Sequence, residues 1–157
     1  MKKLLVTLAA MMSLSIQSLF AQDSVNKQKT AILNSYYHLK DNLVKSNSTA
    51  AGESASELIN SLNATDNKII NDESKNALLK DASAIAQSKD IKIQREKFAL
   101  LSVNMIELAK NNKLSSDPVY EQYCPMKKAS WLSNEKSIKN PYYGSAMLTC
   151  GSVKSTY

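Results

Sequence analysis

Four stretches of the chain repeat apolar side chains at intervals of three and four residues. Ile32, Tyr36, Leu39 and Leu43 form the first stripe, and Ala51, Ala55, Leu58 and Leu62 the second. Leu78, Ala82 and Ile85 form the third, and Phe98, Leu101, Met105 and Leu108 the fourth. That spacing collects each set on one face of an α-helix and leaves the charged residues on the other. The punctuation agrees. Asn47 or Ser48 is placed to cap the second helix, Asp72 the third and Asp90 the fourth, because a short polar side chain can accept from the free N–H groups of a first turn. Between Asp23 and Asn112 there is no proline and a single glycine, Gly52. Helices joined by such short connections pack as antiparallel neighbours. The expected fold is mainly α: an antiparallel four-helix bundle with a small irregular or β-hairpin C-terminal subdomain.

The pattern changes after Ser115. Residues 118–157 hold all three prolines, both cysteines, the tryptophan and most of the tyrosines. Val119 to Tyr123 alternates in the two-residue period of a strand, and Ala129 to Ser133 is its expected partner. Asn140-Pro141-Tyr142-Tyr143-Gly144 reads as a turn followed by a tight backbone passage. This segment is too small to fold alone. The expected division is therefore residues 22–157 as one domain, with residues 22–115 the helical bundle and 116–157 a subdomain packed on it.

Ahead of the domain, MKKLLVTLAAMMSLSIQSLFAQD has the charged start, apolar centre and small-residue boundary of an export signal. Residues 1–21 are read as that signal, with cleavage near Ala21. The apolar run is too short and interrupted to span a bilayer, and no cysteine follows it for lipid attachment. The expectation is a soluble periplasmic protein without a membrane anchor. The formal net charge of +6 includes Lys2 and Lys3. The remaining lysines are interspersed with acidic residues, which makes a solvated surface and gives no basic stripe for nucleic acid. Oligomeric state is not legible.

Chemistry concentrates in the tail. Cys124 and Met126 lie in YCPM; Met147 and Cys150 lie in MLTCG. Thiolates and thioethers are soft donors suited to Cu(I) and Ag(I). An exported chain with two cysteines equally invites a disulfide, worth roughly 3 kcal/mol for a loop of this size. The sequence leaves both readings open. Trp131, Tyr142 and Tyr143 are a candidate binding surface, or else the aromatic pins of the small subdomain. His38 is the only histidine, which excludes zinc sites built on several imidazoles. No nucleophile–base or acid–base pair can be named, so the chain is not read as an enzyme.

The order YCPM, WLS (Trp131 to Ser133), I-x-NPYYG (Ile138 to Gly144) and MLTCG resembles an exported bacterial domain of unknown function. That domain occurs alone and appended to periplasmic adaptor subunits of copper/silver-type cation efflux systems. LKDNLV at Leu39 to Val44 and KDIKIQREKFALLS at Lys89 to Ser102 are similar to its helices. The resemblance implies heavy-metal handling, with Cys124, Met126, Met147 and Cys150 on the sulfur positions. Pro125, Asn140, Pro141, Gly144 and Gly151 fall on the turn positions. One departure is that Lys127-Lys128-Ala129-Ser130 joins the C-P-M to the tryptophan directly. The implied function is a Cu(I) or Ag(I) buffer or chaperone linked to an efflux adaptor. The alternative is a protein-interaction module stapled by a Cys124–Cys150 disulfide.

Overall fold

The structure is a computed structural model and describes the backbone of residues 2–157 and the side chains of residues 22–157; whether residues 1–21 serve as an export signal is not a matter this backbone addresses. Among the described residues there are four α-helices, one 3-10 turn and a three-stranded sheet. The helices are α1 (Lys2–Val44), α2 (Ser48–Asn63), α3 (Asp72–Gln87) and α4 (Ile91–Asn111). The strands are β1 (Tyr120–Cys124), β2 (Ala129–Ser133) and β3 (Ser152–Thr156), and the 3-10 turn, Gly144–Met147, lies between β2 and β3. No helix among the described residues is long and apolar enough to cross a membrane.

All four stripes are buried: every residue named in them has at most 6 % of its surface exposed. Each helix packs on its neighbour in sequence, and α4 packs in turn on β2. The start of α2 is fixed by Asn47, whose side chain accepts from the Ala50 N–H, and that of α4 by Asp90, which accepts from Lys92. For α3 the cap is Asn71, accepting from Ser74, one residue ahead of the expected Asp72. Asp72 opens the helix instead, where its charge faces the positive end of the helix dipole.

The sheet is antiparallel with the order β2-β1-β3. β2 runs over the expected residues, and β1 begins one residue later than expected and ends on Cys124. β3 was not expected at all. It pairs with β1 from Tyr120↔Thr156 to Tyr123↔Ser152, through an irregularity at Glu121/Gln122. Val119 and Tyr157 extend the ladder by exchanging both main-chain hydrogen bonds, at 3.0 and 2.9 Å.

Aromatic rings join the two halves. Tyr36 of α1 stacks on Phe98 of α4 with centroids 5.2 Å apart. Phe98 meets Tyr142, and Tyr142 meets the edge of Trp131 at 5.8 Å. Two of these rings also finish the free edge of β2. The Tyr36 hydroxyl accepts from the Leu132 N–H at 3.2 Å and lies 2.7 Å from Ser102 Oγ. The Tyr142 hydroxyl donates to the Ser130 carbonyl at 2.6 Å. Burial holds the Tyr36 hydroxyl well above the ordinary tyrosine pKa, so it stays a protonated hydrogen-bonding group.

Two glutamines anchor the irregular segments with their amide nitrogens. Gln94, fully buried, donates to the carbonyls of Ser48 and Ser88, both at 2.8 Å. Gln122, also fully buried, donates to the Glu135 carbonyl at 2.8 Å and sits against those of Lys136 and Ser137. The Ser88, Glu135, Lys136 and Ser137 carbonyls lie outside every helix and strand, and a buried backbone requires such partners for them.

β3 is held on β1 by Glu121 as well as by the ladder. This carboxylate, 2 % exposed, accepts from Lys154 Nζ at 3.0 Å and from the Tyr157 hydroxyl. Desolvation raises its pKa, but the hydrogen bonds from Tyr157, Lys154 and Ser130 outweigh it, and the net shift is downward. A depressed folded-state pKa means that this stabilisation is complete above the ordinary carboxylate value and is lost as pH falls through the folded one. Acidification from about pH 5 to about pH 3 is therefore expected to speed amide exchange in β3. In Glu121→Gln the same window should leave β3 exchange nearly flat. An unchanged slope in that variant would assign the acid sensitivity to other carboxylates.

Candidate functional site

The candidate site lies where β1 ends and β3 begins. Cys124 is the last residue of β1 and is fully buried. Cys150 lies two residues before β3 and is half-buried. Because Tyr123 pairs with Ser152, the register itself carries the two cysteines to the same end of the sheet. Their sulfurs are 3.6 Å apart, and both are free thiols. The disulfide expected as one alternative is thus not formed in this structure, although the thiols are in contact.

Asn140 places Cys150. It is fully buried, and all of its polar groups are used. Its side-chain oxygen accepts from the Tyr142 N–H at 2.9 Å, and its side-chain nitrogen donates to the Cys150 carbonyl at 2.8 Å. Its main chain binds the Leu148 carbonyl and the Gly144 N–H. Pro141 follows with its ring buried and its carbonyl held by Arg95. The Cys150 N–H then closes on the Met147 carbonyl at 3.1 Å.

Gly151 lets the chain pass from this turn into β3. Its φ is +149°, and a Cβ there would sit 2.8 Å from the Tyr123 carbonyl and 3.0 Å from the Trp131 ring. Only glycine takes that backbone so close to a neighbouring strand. Pro125, Met126, Lys127 and Lys128 form the β1–β2 turn, closed by the Lys128 N–H on the Cys124 carbonyl at 2.8 Å. This short loop holds Lys128 at a φ of +55°.

The same turn points main-chain donors at the sulfurs. The Lys127 N–H lies 3.4 Å from Cys124 Sγ. Burial raises the Cys124 pKa, but the N–H groups of Lys127 and Met126, the Asn140 amide and the Cys150 thiol together bring it below the ordinary thiol value. Cys150 moves the other way, chiefly because its proton is engaged with Cys124. The pair favours a thiolate on Cys124 with the proton on Cys150.

The four predicted sulfurs do not share one environment. The cysteines meet. Met126 extends into solvent, 62 % exposed, from the turn that supplies the main-chain donors, and Met147 is half-buried at the end of the 3-10 turn. The expected aromatic binding surface is corrected for Trp131 and Tyr142. Trp131 is fully buried, Tyr142 is 5 % exposed and Tyr143 is half-buried. Trp131 and Tyr142 pack on each other beneath the sheet because the neighbouring glycine and proline let the chain fold back over them.

Arg95 was not expected to matter, although it is the chain's only arginine. It donates to the carbonyls of Pro141 and Leu43 and to Ser46 Oγ, all at 2.9 Å, tying the site segment to the helices. His38 is on the surface, 3.5 Å from Glu57. Among the described residues no three His, Cys, Asp or Glu side chains gather where they could hold a metal ion. A cleft of about 410 Å³, lined by Lys29, Lys113 and Asp117 among others, contains none of the four sulfurs.

A family model described as "protein of unknown function" (DUF3347) matches residues 32–117 of this chain. The matched segment runs from within α1 through α4 and stops before β1, so the thiol pair lies outside it. No curated protein and no solved structure matches.

Proposed function

Since the chain belongs to the DUF3347 family of proteins of unknown function, we propose a role on the chemistry of its thiol pair: an exported, non-enzymatic protein that takes up Cu(I) or Ag(I) as cargo. The observation that carries this reading is the 3.6 Å contact between two unbonded cysteine sulfurs on a fixed backbone frame. Two thiolates satisfy a soft monovalent ion of low coordination number. Asn140 and the passage at Gly151 hold the backbone around the pair, so little ordering is left for the ion to impose.

The donor set fits that class of ion and no harder one. Among the described residues no cluster of imidazole or carboxylate ligands accompanies the sulfurs, so zinc or calcium coordination lacks its ligands there. Cys124 and Cys150 are the primary donors in this reading. Met126 is the third, a flexible thioether on the turn that follows Cys124, 62 % exposed. Met147 is the more distant candidate. The helices, as an antiparallel four-helix bundle, serve as the scaffold. A periplasmic location and handover to a cation-efflux adaptor complete the proposal. The rival reading of an aromatic interaction surface loses Trp131 and Tyr142 to the core.

Cu(I) competition titration of the fully reduced protein tests the reading. One ion per chain is expected. Serine at either cysteine should weaken uptake by at least the ~100-fold that disturbing a metal site's supporting groups can cost. Met126→Leu should weaken it about tenfold while thermal stability stays unchanged. Unaltered affinity in Met126→Leu and Met147→Leu would reduce the site to the cysteines alone. Absence of uptake by the reduced wild type would overturn the reading.

A further inference from the structure

From the sulfur contact and its unequal exposure, we propose that Cys124 and Cys150 are a reversible dithiol–disulfide centre that exchanges with small-molecule disulfides, Cys150 meeting the outside partner and Cys124 resolving it. The inference goes beyond metal uptake and stands on the free thiol pair, whether or not an ion binds.

Three features carry it. The sulfurs already touch at 3.6 Å, so bond formation needs an approach of only about 1.6 Å to reach a disulfide length of about 2.0 Å. The two thiols are unequal in access: Cys124 is fully buried, whereas Cys150 is half-buried and follows exposed Leu148 and Thr149. An incoming disulfide therefore reaches Cys150 first. The frame is also fixed on both sides, by Asn140 on the Cys150 carbonyl and by the tight passage at Gly151. A mixed disulfide on Cys150 is thus held beside its resolving thiol, where the second step is intramolecular.

The chemistry balances with a low-molecular-weight disulfide, RSSR, as oxidant. Cys150 first passes its proton to the Cys124 sulfur it touches, and the Cys150 thiolate so formed attacks one sulfur of RSSR; the S–S bond breaks, and the departing RS− takes up a proton from water. The Cys124 sulfur then attacks the Cys150 sulfur of the mixed disulfide. The second RS− leaves and takes up the proton of Cys124. The dithiol loses two electrons and two protons, and RSSR becomes two RSH. Resting on the metal reading of the same sulfurs, one consequence follows: the oxidised pair offers no thiolate, so exchange and ion uptake exclude each other.

The test equilibrates the reduced full chain, without metal, in glutathione buffers of graded ratio. Alkylation of the remaining thiols and intact-mass measurement follow. The wild type is expected to pass from two reactive thiols to none, retain no glutathione, and return when reduced glutathione is raised. Cys124→Ser should stop with one glutathione on Cys150. Cys150→Ser should acquire glutathione at least about tenfold more slowly, because its thiol is the buried one. Two thiols persisting in the wild type, or a stable mixed disulfide, would overturn the proposal. Equal labelling of the two serine variants would overturn the assigned order of attack. Cu(I) titration of the same reduced sample separates the two ideas: closure without ion uptake sinks the metal reading alone, and ion uptake by thiols that never close sinks this one alone.

Discussion

Trp131→Ala is expected to destabilise the whole chain by about 3 kcal/mol, the lower end of the range for removing a buried large aromatic. The side chain is fully buried and meets Tyr142 edge-on at 5.8 Å. Its indole N–H has no hydrogen-bond partner among the described residues, and an unsatisfied buried donor costs about 1–3 kcal/mol. Losing it partly offsets the cavity, which places the estimate low in the range. The more informative part is where the effect appears. Trp131 belongs to the tail, yet it reaches α1 through Tyr142, Phe98 and Tyr36. Thermal unfolding followed at the helical dichroism band should shift together with tyrosine fluorescence, as one transition. A helical transition that stays at the wild-type temperature while the fluorescence transition falls would show instead that the sheet unfolds by itself.

Gly144→Ala should cost about as much, roughly 3 kcal/mol, by a different route. Gly144 has a φ of +57°, where any L side chain is strained by about 1–2 kcal/mol. A Cβ there would also lie 2.7 Å from Arg95 Nη2, 2.8 Å from the Val44 carbonyl and 2.9 Å from Ser46 Oγ. Two of those neighbours belong to the Arg95 hydrogen-bond set. Burial depresses the Arg95 pKa, a sign that its charge depends on those partners for solvation. Displacing it adds the loss of a charge-assisted hydrogen bond, about 1.5–3 kcal/mol. Denaturant melts give the stability, and thiol alkylation gives the local effect, since Pro141 and the turn toward Cys150 hang from the same arginine. Gly52 is the control. It lies inside α2, and the nearest atom to an added Cβ is at 3.4 Å, so alanine there should change stability by no more than about 1 kcal/mol. Equal effects at the two glycines would remove the arginine tether from the explanation.

The helical half was legible because its signal is physical periodicity. Ile32, Ala51, Leu78 and Phe98 announce their faces by spacing, and the same faces close the core. The cap of α3 slipped by one residue because Asn71 and Asp72 are both good caps and sequence alone does not rank adjacent candidates. β3 was missed for a plain reason. Ser152-Val153-Lys154-Ser155-Thr156 has almost no apolar alternation, and its place is set by the ladder to β1 and by Glu121, contacts distant in sequence.

The buried polar residues were illegible on the same grounds. Pattern reading sends Lys40, Gln94, Glu121 and Gln122 outward, whereas each has at most 2 % of its surface exposed. Each is kept inside by specific partners, such as Asp41 at 2.8 Å from the Lys40 ammonium. Within the site, the nearness of Cys124 and Cys150 was open to either reading and the geometry supplied it. The aromatic surface failed because Trp131 and Tyr142 sit in a segment whose glycine and proline positions mark folding-back as readily as display.

The finish on the outer edge of β2 bears on how the molecule avoids self-templating. A short sheet has two flanks, and each bare flank is a row of main-chain groups on which another chain can lay a strand. On the β2 flank the Leu132 N–H and the Ser130 carbonyl are taken by the hydroxyls of Tyr36 and Tyr142. On the opposite flank, β3 exposes Ser152, Lys154 and Thr156, and its lysine puts a charge where an intruding strand would have to dock. Resistance to fibril-like growth on one side thus rests on two phenolic oxygens that also belong to the core, so damage to that core would uncover an aggregation-prone edge in the same event.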